Sequence, residues 1–177
     1  VQFTNSETVN KNGGAIYSLK SQLNLENNTF TGNSADKYGG AIFADGEGTK
    51  ISSAGDQFIS NTVSTTSGQG SAIYLEECLT SGASLFDGCL FKDNSGRMAG
   101  AVISGISLDI KNCRFEGNEA TGSTGGALYL WKDSYENKST VESTTFTGNS
   151  AYTGGGAITI GYGATLDIST TVFTKNR

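Results

Sequence analysis

The sequence predicts an all-β chain coiled as a parallel β-helix of about six turns, and three repeated features predict it. The first is Phe-x-x-Asn, found at Phe30/Asn33, Phe58/Asn61, Phe91/Asn94, Phe115/Asn118, Phe146/Asn149 and Phe173/Asn176, with an early copy at Phe3 that carries Ser6 in place of Asn. The second is Gly-Gly-Ala-aliphatic or a close variant, starting at Gly13, Gly39, Gly70, Ala99, Gly125 and Gly155. The third is an apolar-x-apolar pair seven and five residues before each Phe, as in Leu23/Leu25 and Leu108/Ile110. Successive Phe positions are separated by 27, 28, 33, 24, 31 and 27 residues. A repeat of that length marks stacked units, none of which buries its apolar face alone.

Each element of the repeat has a physical task. The apolar-x-apolar pair alternates with period two, which is a strand pattern, and helical spacing is nowhere sustained. Ser53, Ser84 and Ser139 interrupt the pair. Phe follows as a large inward plug, so that stacked coils would bring the rings into a column. Asn stands where the chain turns, and its carboxamide can bond the turn backbone and its counterparts one coil away. The paired glycines admit positive φ and let the chain re-enter the sheet tightly. The aliphatic residue after them (Ile16, Ile42, Ile73, Val102, Leu128, Ile158) is apolar in every coil and is expected inward. Three short strands per coil result.

Two positions before Phe runs a further column: Asn28, Asp56, Cys89, Cys113, Thr144 and Thr171. Cys89 and Cys113 are expected as neighbours on adjacent strands, ~4.8 Å apart at Cα. That spacing permits a disulfide, but the parallel Cβ vectors disfavour it, so two buried thiols are expected. Cys78 falls in a longer loop and has no evident partner. Two loops after the Gly-Gly-Ala strand are longer than the rest, spanning 76–82 and 131–139. Asn27 and Asn137 begin Asn-x-Ser/Thr sequons.

Composition narrows the possible functions. The 177 residues hold 25 glycines and no proline, which fits many tight turns but not collagen, since glycine has no three-residue period. A net charge of −5 argues against a nucleic-acid or anionic-membrane surface. No apolar run approaches the ~18 residues of a spanning helix. The chain has no histidine, which removes the commonest catalytic base and metal ligand. The densest charge cluster is Asp87, Lys92, Asp109, Lys111, Arg114 and Glu116. Repeat alignment stacks Asp87 on Lys111 and Lys92 on Glu116, an ordinary surface arrangement. The glycines precede strands and not helices, so they are not a phosphate loop. No catalytic set, cofactor or metal is expected.

The best binding candidate is the column after the inward aliphatic, whose side chains should face solvent. It reads Tyr17, Phe43, Tyr74, Ile103, Tyr129 and Thr159, with Trp131 and Tyr135 in the loop beside it. Exposed aromatics anchor partners, although stacked aromatics can equally reinforce a parallel ladder.

The alternation of Phe-x-x-Asn with Gly-Gly-Ala-aliphatic over the whole chain resembles the polymorphic outer membrane protein (Pmp) repeats of chlamydiae. The resemblance implies an autotransporter passenger, a right-handed parallel β-helix displayed at the cell surface by a β-barrel outside this chain and serving in adhesion. Residues 1–177 are then expected to be one β-helix segment of a longer array. Its partners would be a protein or glycan on a target cell, and further coils of the same protein or end-to-end copies of itself. Two other readings stand beside this one: a structural filament subunit, and a polysaccharide lyase or hydrolase.

Overall fold

The computed structural model describes residues 1–64, 66–76, 82–131 and 138–177. Cys78, Tyr135 and the sequon at Asn137 lie outside the described residues, as do most of the two longer loops. The described residues form 25 strands, all paired in parallel, in one seven-stranded and three six-stranded sheets. The chain visits the four sheets in turn and then adds the next strand to the first. A representative coil runs Thr29–Thr31, Ser34–Ala35, Ile42–Asp45 and Lys50–Ala54, and returns at Gln57–Ile59. Each coil therefore has four strands where three were expected. The additional one is the two-residue strand after Asn, which resumes pairing as soon as the turn is complete.

Register follows the repeat. Phe30 pairs with Phe3 and Phe58, and Phe115 with Phe91 and Phe146. Phe30, Phe58, Phe91, Phe115 and Phe146 are fully buried, and the rings from Phe3 to Phe173 stack at 4.6 to 5.0 Å and within 7° of parallel. Ile42, Ile73, Val102 and Leu128 line the same interior, as do Ile51, Phe86, Leu108, Ile110 and Val141 from the fourth sheet. Coils at ~4.8 Å spacing make the six-coil rod about 29 Å long.

Each Phe strand from Thr29–Thr31 onward lies between two corners held at positive φ, and the first, Gln2–Thr4, is followed by one. Three residues before Phe stand Asn27, Gly55, Gly88, Asn112, Ser143 and Thr170; two residues after it stand Asn5, Gly32, Ser60, Asp93, Gly117, Gly148 and Lys175. This left-handed backbone costs a non-glycine residue roughly 1–2 kcal/mol. Sequence reading missed the corners because their residue types vary from coil to coil.

The second glycine of the pair answers a different demand. A Cβ at Gly126 would lie 1.8 Å from the carbonyl oxygen of Gly156, one coil on. Backbone meets backbone there, and no side-chain rotation relieves it.

Candidate functional site

The register brings the expected aromatic column together: Tyr17 pairs with Phe43, Phe43 with Tyr74, Tyr74 with Ile103, and Ile103 with Tyr129. These side chains do leave the main core, but most of them do not reach solvent. Phe43, Tyr74 and Ile103 are only 2%, 5% and 2% exposed, and they form a second apolar cluster with Ala99. The expectation of an open strip is therefore corrected. Its cover includes Tyr38 and Met98, which stand just ahead of the turns at Gly39 and Ala99 and pack on this cluster. Positive φ at Gly39 and Ala99 turns the chain so that the preceding residue lies over the third sheet. Tyr38 stacks on Tyr74 at 4.6 Å and on Phe43 at 6.3 Å, while Gln69 bridges Tyr38 and Met98 in parallel. Sequence reading overlooked Tyr38 and Met98. No signal marked them, because the residue before the glycine turn changes type from coil to coil.

Only the ends of the column stay accessible. Tyr17 is 56% exposed, with Phe43 stacked 5.1 Å away. Tyr129 and Trp131 are half-buried. Trp131 lies against Gly105, where an added Cβ would come within 3.2 Å of its ring. Beside Tyr17 opens a groove of about 800 Å³, lined by Thr8, Lys11, Asn12, Lys37 and Tyr38 among others. Two buried polar atoms in that lining, Thr8 Oγ1 and Asn12 Oδ1, have no hydrogen-bond partner. Of its lining, sequence reading named Tyr17 as a binding candidate but not the groove itself, which joins residues of different coils.

The charge cluster has the expected register, with Asp87 opposite Lys111 and Lys92 opposite Glu116. Its bonds differ from that pairing. Among the described residues the ion pair formed is Arg114 Nε to Glu116 Oε1 at 3.6 Å. Asp87 Oδ1 accepts from Asn112 Nδ2 at 2.8 Å, and Asp109 Oδ1 from Thr140 Oγ1 at 2.8 Å. An exposed pair of this kind contributes at most ~1 kcal/mol.

Cys89 and Cys113 are free, buried thiols as expected, but each stands just ahead of a strand and not in one, before the paired strands Leu90–Lys92 and Arg114–Glu116. The column also buries Asp56, whose Oδ1 accepts from the Asn28 backbone N–H at 2.7 Å and from Asn28 Nδ2 at 2.9 Å. Its Oδ2 accepts from Ser53 Oγ at 2.5 Å. Hydrogen bonding with Cys113 draws the Cys89 thiol down from 9.0 to about 7 against the effect of burial. Cys113 moves well upward, because it bonds Cys89 and is itself desolvated.

Comparison with known proteins gives two family matches. Residues 1–140 match the family described as right handed beta helix region. Residues 143–160 match the Chlamydia polymorphic membrane protein repeat. No curated protein and no solved structure matches the chain.

Proposed function

Because the chain belongs to the right-handed β-helix family and carries a polymorphic membrane protein repeat, we propose that it is a stretch of autotransporter-type passenger, held at the cell surface through a barrel outside these residues and used in adhesion. One observation carries this reading: the interior columns repeat coil after coil, while the outward residues and loops differ. A rod of this kind fixes outward groups rigidly at no further ordering cost, as a binding scaffold requires. The partner is a protein or glycan of a target cell, met through the exposed ends of the aromatic column and the loops beside them. Tyr17, Tyr129, Trp131 and Tyr135 remain in that role, whereas Phe43 and Tyr74 support the face from beneath.

This reading involves no catalysis. It rests on the lack of histidine in the sequence and on a charge cluster engaged in surface bonds. Shortening of a uronic-acid polymer by the purified chain, lost in Asp87→Ala or Asp109→Ala, would replace it with the lyase or hydrolase reading.

The adhesin reading is tested on cells. Antibody against the chain should label intact cells of the source organism, and the purified chain should bind target cells saturably. Labelling only after permeabilisation would contradict surface display, and linear, unsaturable binding would contradict adhesion.

A further inference from the structure

The geometry points to a disulfide between Cys89 and Cys113 that ties together two neighbouring coils in the middle of the rod. The two cysteines stand just ahead of Leu90–Lys92 and Arg114–Glu116, the fourth and fifth of the seven strands in their sheet. Ladders run in register on either side of them, with Asp87 opposite Lys111 and Leu90 opposite Arg114. The same number of residues fills the gap in each coil, so Cys89 lies opposite Cys113 at a Cα spacing of ~4.8 Å. A disulfide spans that distance. Arg114 N donates to Cys89 O at 2.9 Å, which holds the two coils together at this point.

Parallel Cβ vectors are the obstacle, and two observations reduce it. Each cysteine follows a corner residue at positive φ, Gly88 at 64° and Asn112 at 52°. Glycine shifts at such a corner without the strain a side chain brings, and the space beside Gly88 is open, so Cys89 can tilt toward its partner. The Cys113 sulfur already leans that way, since it lies 3.4 Å from Phe86 O on the coil that carries Cys89. The Cys89 sulfur points to the coil before, 3.4 Å from both Ser53 O and Ser53 Oγ. Rotation about its χ1 would exchange these weak contacts for the S–S bond.

The chemistry is thiol–disulfide exchange, with a small disulfide such as oxidised glutathione as the oxidant. The Cys89 thiolate attacks one of its sulfurs, one glutathione thiolate leaves, and a mixed disulfide remains. Cys113 gives its proton to solvent, attacks the Cys89 sulfur and expels the second glutathione. The chain loses two electrons and two protons, and the oxidant departs as two thiols. The contact with Cys113 that lowers Cys89 to about 7 supplies the first thiolate near neutral pH. The Cys113 proton is held chiefly by that same contact, which capture of Cys89 removes. Both side chains are 1% exposed, so the oxidant enters while these coils are still closing. The bridge closes the shortest coil, 24 residues from Phe91 to Phe115, and restricts the unfolded chain accordingly. It does not depend on the adhesin reading, although the cell surface is a place where such bonds persist.

The test starts from the reduced, urea-unfolded 177-residue chain, diluted into buffer that contains reduced and oxidised glutathione. Peptide mapping without reductant should find Cys89 joined to Cys113 in most molecules, and the Cys78→Ala variant should form the same bond. In urea the bridged chain should have a folding constant about tenfold larger, or more, than the reduced chain, a gain that dithiothreitol abolishes. Bridges made mainly through Cys78, or free thiols or glutathione adducts at Cys89 and Cys113 in most molecules, would overturn the proposal. So would failure of the Cys78→Ala variant to form the bond, or a bridged chain no more stable than the reduced one.

Discussion

Within each coil, the carboxamide of Asn118 bonds in two directions at once. Its Oδ1 accepts from Asn94 N at 3.1 Å and Asn94 Nδ2 at 2.9 Å, and its Nδ2 donates to Phe91 O at 3.0 Å and Asn149 Oδ1 at 2.9 Å. The same pattern joins Asn33 to Asn61, Asn61 to Asn94 and Asn149 to Asn176. Asn118→Ala leaves two buried Asn94 donors unpaired, at ~1–3 kcal/mol each. Urea unfolding of this variant should show a loss of roughly 2–6 kcal/mol. Phe115→Ala should lose a comparable ~3–5 kcal/mol through a cavity. The Asn spacing was legible in the sequence as a turn with partners a coil away. The Phe carbonyl as a second acceptor was not, because no side-chain type marks a backbone group. Ser143, at φ 49°, makes the opposite prediction. Ser143→Gly should raise stability by up to ~1 kcal/mol, since glycine adopts that corner without strain.

At the scale of the strand, alternation gave the correct direction for the column Tyr17, Phe43, Tyr74, Ile103, Tyr129 and Thr159, but not its fate. Facing away from one core meant entering another, because Tyr38 and Met98 cover it. That cover was illegible because the residue before the glycines follows no pattern: Asn12, Tyr38, Gln69, Met98, Thr124 and Gly154. The two ends of the column should therefore respond differently to mutation. Tyr74→Ser should cost ~2–4 kcal/mol as a core truncation, and Tyr17→Ser less than ~1 kcal/mol in the same thermal unfolding assay. The thiols are a further check on the interior. Native alkylation followed by peptide mapping should leave Cys89 and Cys113 unmodified, with both reacting once the chain is unfolded. Labelling of either in the native chain would contradict the inward column.

For the molecule as a whole, six coils and their register could be read from the spacing of Phe, Asn and the glycine pairs. The groove could not, since it depends on which loop residues of neighbouring coils come to lie together. The account centres on one continuous buried ladder, from which the rod draws both stability and rigidity. Asn33, Asn61, Asn94, Asn118 and Asn149 are all fully buried within it. Hydrogen exchange of the side-chain amides, followed by NMR on the Asn-labelled chain, tests this most directly. Those five Nδ2 groups should exchange far more slowly than that of exposed Asn10, and together, as a single cooperative unit. Exchange of all five at the rate of Asn10 would contradict the ladder and the fold built on it.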